Sequence, residues 1–148
     1  MVRSKHRVGW TGVAFAGLSL SLLVLWGTGW VMYAWPIADL MDMTEMEAML
    51  RRAPGVVHGV TTWGVCVLGG RGVWPHVQWM FHHRVDWHQW GWGLVNLTLL
   101  VVLAISGLLL LYGRADWHEA LSPAHFWVGA FAPLPYILHG WKKLSRSR

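Results

Sequence analysis

Four long apolar stretches separated by short polar connections set the pattern of this chain. They run at about 9–33, 54–81, 90–112 and 123–141, from Gly9 to Tyr33, Pro54 to Phe81, Trp90 to Tyr112 and Pro123 to Trp141. Each is near or above the ~20 residues a helix needs to cross the hydrocarbon of a bilayer. The pattern predicts an all-α protein, an integral membrane up-down-up-down four-helix bundle forming a single domain over 1–148, in which the second and fourth helices run parallel. Between the first two stretches Thr44 and Glu47 have the spacing of a capping box, and Met43, Met46, Met49 and Leu50 make an apolar stripe. A short helix is expected there, lying on the membrane surface or on a partner.

Composition agrees with a membrane chain: of 148 residues 55% are hydrophobic and only 13% charged, against about a quarter charged in soluble domains. Charge placement supplies an orientation. Arg3, Lys5 and Arg7 precede the first stretch and Lys142, Lys143, Arg146 and Arg148 follow the last, whereas the first loop carries Asp39, Asp42, Glu45 and Glu47 against Arg51 and Arg52. Positive flanks mark the cytoplasmic side, so both termini are expected to be cytoplasmic. Arg84 places the middle loop on that side too, and the first and third loops face outward. The expected location is a bacterial-type cytoplasmic (inner) membrane, crossed several times. The net charge of +5 is then mostly an orientation signal; with the basic residues confined to flanks, no nucleic-acid partner is expected.

The first stretch could be a cleaved leader, but its apolar run is too long, and Met32 and Ala34 make a poor cleavage site, so it is read as a span. Cys66 is the single cysteine; it excludes an internal disulfide, suggests neither a thiol catalyst nor a zinc site, and reads as packing. Most of the thirteen tryptophans fall near stretch ends, as an interfacial aromatic belt would place them.

A weak internal repeat divides the chain into two helix pairs. LLVLWGTGWVMYAW, at the end of the first stretch, resembles LLVVLAISGLLLLYG, at the end of the third, and each is followed by a polar loop and a histidine-bearing stretch. An ionisable residue inside a span is costly enough to be a functional hypothesis by default. His125 and His139 lie fourteen residues apart in the fourth stretch, about four turns and ~21 Å, on nearly the same face. Gly93 and Gly107 repeat the interval in the third stretch. This is a geometry for two flat cofactors held one above the other. Haem needs an axial imidazole and a helix surface bare enough for the porphyrin to approach, which glycine provides. Close helix packing is the competing use of such glycines. Gly93 is expected at the level of His139, and Gly107 at that of His125.

His58, at the outer end of the second stretch, is the expected partner of His125. For His139 the leading partner is His76. It follows His58 by eighteen residues, ~27 Å on a straight helix, about one turn deeper than His139 requires. His82, His83, His6 and His88 are the alternatives. His118 reads as a solvated residue beside Asp116 and Glu119. Arg71, a charge inside a span, suits pairing with a haem propionate or a buried carbonyl. Arg114, Arg84, Arg7 and Lys142 are edge charges of similar potential use.

These residues carry a resemblance. A span ending in GTG or SGL, a histidine early in the next span and a final His-x13-His span resemble the four-helix dihaem b-type cytochromes, including the cytochrome b561-type membrane anchor subunits of formate dehydrogenase and nickel-iron hydrogenase. The resemblance covers most of the chain through short, degenerate motifs. It implies an outer haem on His58 and His125 and an inner haem with His139 as one ligand. The chain departs from the family where a histidine often precedes tryptophan in the first span; here Gly9 precedes Trp10. The arrangement with all ligands on the second and fourth helices fits better, through His76. If no histidine completes the inner site, one haem is expected.

The resemblance implies haem b, a quinone site, and electron transport between the quinone pool and an extracytoplasmic redox protein or subunit, a c-type cytochrome or an iron-sulfur protein, within a quinone-linked respiratory complex. His82, His83, Arg84 and Asp86 are possible quinone contacts. The chain has no cysteine cluster, covalent haem motif or dinucleotide fingerprint of its own. The competing readings are a cofactor-free structural subunit of a larger membrane complex and a histidine-based metal or proton transporter.

Overall fold

A computed structural model describes residues 12–35, 44–82 and 87–145, and these are helical apart from short connections. Five α-helices follow in order: α1, Gly12–Ala34; α2, Glu45–His82; α3, Trp87–Tyr112; α4, His118–Phe131; and α5, Pro133–Ser145. A 3-10 turn, Ala115–Trp117, leads into α4. Outside the described residues lie His6, His83, Arg84 and Asp86, and also most of the flanking charges that carry the orientation argument, Arg3, Lys5, Arg7, Asp39, Asp42, Arg146 and Arg148. The side chains of Lys142 and Lys143 are likewise not described.

Two helices, Gly12–Ala34 and the Trp90–Tyr112 part of α3, are long and apolar enough to cross a membrane. Neither segment contains a charged residue. At 1.5 Å per residue each exceeds the ~30 Å hydrocarbon core. Leu20 and Leu23 on α1 are both 62% exposed, so the apolar character continues around the helix rather than ending at a seam.

The second and fourth stretches depart from the simple pattern. α2 is 38 residues long and fuses the expected surface helix with the expected span. Its start is a full capping box. The Thr44 backbone N–H and Oγ1 donate to Glu47 Oε2 at 3.0 and 2.8 Å, and the Glu47 N–H donates back to Thr44 Oγ1 at 3.4 Å. Helix then continues through Pro54 and Pro75. Each proline removes one i→i−4 bond, and the helix runs on past both. In α2 His58, Thr61, Thr62, Arg71 and several glycines dilute the apolar run.

The fourth stretch is not one helix. It divides into α4, of 14 residues, and α5, of 13, because Pro133 has no N–H to bond the carbonyl four residues earlier. The Ala132 N–H closes α4 on the Val128 carbonyl at 3.0 Å. Side chains from two other helices serve carbonyls near this break: Trp26 Nε1 donates to Ala130 O at 3.2 Å, and Asn96 Nδ2 donates to Pro135 O at 3.0 Å.

Contacts between helices define their directions. On α1, Ser19 is hydrogen-bonded to Tyr136 at 2.7 Å while Tyr33 stacks on Phe126 at 3.8 Å between ring centres, so α1 runs antiparallel to α4 and α5. On α3, Gly93 lies against His139 and Gly107 against His125, which is also antiparallel. On α2, His58 faces His125 and His76 faces His139, so α2 runs parallel to α4 and α5. Among the described residues only Val65, Met80 and Pro135 are buried. Apolar burial within the chain therefore contributes little, and large apolar side chains face outward on every long helix. Cys66 is exposed on α2.

Aromatic clusters mark both ends. At one, Trp30, Tyr33, Phe126 and Trp127 interlock between α1 and α4. At the other, Phe81, Trp87 and Trp90 join the end of α2 to the start of α3.

Candidate functional site: two histidine pairs

The parallel run of α2 beside α4 and α5 brings four of the nine histidines together as two pairs. The ring centres of His58 and His125 are 6.3 Å apart, with planes at 66°. Those of His76 and His139 are 6.2 Å apart, with planes at 86°. All four side chains are half-buried. An ion bound by two opposed imidazole nitrogens at about 2.0 Å, with each ring centre roughly 1.1 Å behind its nitrogen, separates the ring centres by about 6 Å. Both pairs match that spacing.

The one-turn mismatch between eighteen residues on α2 and fourteen on α4 and α5 does not prevent the second pairing. Pro75 immediately precedes His76, and the break at Ala132–Pro133 lies between His125 and His139. Straight-helix arithmetic therefore does not carry across the interval from His125 to His139.

Around the first pair, the repeat in the sequence takes on a physical meaning. Thr28 Oγ1 lies 2.8 Å from His58 Nδ1, and Ser106 Oγ lies 2.8 Å from His125 Nδ1. Each hydroxyl also donates to the carbonyl four residues earlier, Val24 O and Val102 O, both at 2.7 Å. A hydroxyl has one proton. With that proton on the helix carbonyl, the arrangement in which the hydroxyl oxygen accepts an N–H from Nδ1 satisfies both groups. His58 and His125 are then Nδ1–H tautomers, and each keeps the Nε2 lone pair for a metal.

A glycine follows each hydroxyl and receives the same ring. A Cβ on Gly29 would stand 3.9 Å from His58 Cε1, and one on Gly107 3.4 Å from His125 Cε1. The GTG and SGL segments are thus equivalent grips, each holding the histidine of the next helix. Thr28, Gly29 and Ser106 were not singled out by spacing alone, although the repeat contains the signal. Gly93 is tighter still, with a Cβ there 3.1 Å from His139 Cε1. Both expected glycine levels are therefore seen, and the glycines admit imidazole edges.

Other expected residues stand apart. Arg71 is exposed on α2. Arg114 is paired with Asp116 at 3.1 Å on the exposed 3-10 turn, rather than with the histidines. His82 contacts its own helix, Nδ1 to Gln78 O at 2.8 Å. His88 and His118 are exposed at the starts of α3 and α4.

Among the described residues, no three His, Cys, Asp or Glu side chains come together as a site for a bare metal ion. Each pair offers two nitrogens only. That donor set suits a metal whose remaining ligands arrive with it, as in a macrocycle, better than a zinc or transport site needing three or four protein ligands. Comparison with known protein families, curated proteins and solved structures finds no match for this chain.

Proposed function

We propose that this protein is a four-span cytochrome b of a bacterial-type cytoplasmic membrane. Both termini are cytoplasmic, and it carries electrons between the quinone pool and an extracytoplasmic redox partner. The observation that carries the proposal is the double pairing, His58 with His125 and His76 with His139, at ring separations of 6.3 and 6.2 Å. The donor set fits haem b at both levels. Eighteen residues of α2 and fourteen of α4 and α5 separate the two levels. Bound there, haem supplies one-electron redox chemistry at two depths of the membrane.

The chain's own part is to hold and orient. α2 contributes one imidazole to each level, and α4 and α5 contribute the others. Thr28 and Ser106 keep the protons of the first pair on Nδ1. Gly93 and Gly107 let the rings of His139 and His125 approach α3 closely. The outward apolar faces suit lipid, and the aromatic clusters suit the two headgroup levels. Chemistry on any soluble substrate belongs to a partner subunit.

Single substitutions test the assignment. His58→Ala and His125→Ala should each remove the same haem, and His76→Ala and His139→Ala the other, as read from reduced-minus-oxidised spectra and redox titration. Full haem content in any of these variants would overturn that ligand. Purified wild-type protein without a Soret band would favour a cofactor-free subunit or a transporter.

A further inference from the structure

We infer that Thr28 and Ser106 are positioning residues for one redox centre, a matched pair of hydroxyl clamps that set the orientation and electron donation of its two axial imidazoles. The inference rests on the cytochrome reading above and deepens it. Each hydroxyl is itself fixed. Thr28 Oγ1 lies 2.7 Å from Val24 O and 3.1 Å from Leu25 O, and Ser106 Oγ lies 2.7 Å from Val102 O and 3.3 Å from Leu103 O. Facing the imidazole, each therefore presents a lone pair along one direction. His58 and His125 each accept the restraint at Nδ1, at 2.8 Å, and at Gly107 the ring edge of His125 comes to 3.4 Å of where a Cβ would stand. The two clamps come from different halves of the repeat and hold the ring planes crossed at 66°.

Two properties of a bis-imidazole iron follow from this arrangement. A hydrogen bond from Nδ1–H to an oxygen makes the imidazole a stronger donor, which favours the ferric state. The angle between the axial ring planes governs the anisotropy of the low-spin ferric electron paramagnetic resonance signal. Removing a clamp should therefore raise the midpoint potential of this centre and change its signal while the second haem keeps both values.

The test uses the full chain purified with its haem. Thr28→Val removes the hydroxyl at nearly constant volume, Ser106→Ala removes its counterpart, and Thr28→Ser restores the hydroxyl. We expect Thr28→Val and Ser106→Ala each to shift the potential of one haem upward, to alter the same haem's resonance signal, and to weaken its retention about 10- to 100-fold. Thr28→Ser should behave as the wild type. If both hydroxyl-free variants keep wild-type potentials and signals, or if Thr28→Ser is as perturbed as Thr28→Val, the inference is overturned. Should Thr28→Val lose both haems together, Ser106→Ala decides by the same criteria. Wild-type protein without haem would remove the cytochrome reading itself, whereas unperturbed variants of a haem-bearing chain remove only the clamps.

Discussion

A glycine beside a histidine ring is informative because its missing side chain can be measured as a distance. A Cβ would lie 3.1 Å from His139 Cε1 at Gly93, 3.4 Å from His125 Cε1 at Gly107 and 3.9 Å from His58 Cε1 at Gly29. Replacing glycine by alanine inside a helix gains about 0.5–1 kcal/mol where space allows. At Gly29 the contact is ordinary, so Gly29→Ala should leave haem content intact and stabilise the protein by roughly that amount. At Gly93 the ring must move, and Gly93→Val should cost about 1–3 kcal/mol from overpacking. Gly107→Ala should fall between them. Thermal denaturation together with haem content checks the order, and a Gly29→Ala variant less stable than Gly93→Val would refute it. The levels of Gly93 and Gly107 were legible from the fourteen-residue interval because helical periodicity is local. Thr28 and Ser106 were not, because a hydroxyl reaching across to another helix leaves no periodic trace and shows only in the repeat.

At the scale of elements, the start of α2 offers a test independent of any cofactor. Hydrogen bonds from Thr44, first from its side chain and then from its backbone, hold the exposed Glu47 carboxyl below its ordinary pKa. A depressed native pKa contributes stability that is fully present above the unfolded value of about 4.3 and lost as pH falls through the lower native value. The first turn of α2 should therefore stay closed at neutral pH and fray in acid, seen as movement of the Ala48 amide resonance. Glu47→Gln should abolish that acid transition; its persistence would assign the fraying to another group. The capping box was legible because it is a four-residue motif. The break between α4 and α5 was less so, since hydropathy averaged over twenty residues passes over Pro133 and Pro135, whose effect is the loss of single hydrogen bonds. The fusion of the expected short helix with the second apolar stretch was hidden for the converse reason, since Pro54 marks an expected boundary and the helix runs through it.

Two independent patterns meet in the whole molecule. Apolar segments with outward-facing large side chains imply that lipid or partner surfaces cover the helices. Antiparallel contacts of α1 and α3 with α4 and α5, and the parallel run of α2, then place two histidine pairs at two levels between them. The helical character and the repeat made the pairing of α1 with α2 and of α3 with α4 legible, but the sequence left the partner of His139 open among five histidines. His76 meets it in three dimensions, where α2 runs unbroken through Pro75 and the opposing stretch breaks at Ala132–Pro133. The most direct measurement is the pyridine haemochrome ratio of the purified chain. The account predicts about two haem b per polypeptide; a ratio near one would contradict the second pair, and a protein that binds no haem would contradict the central claim.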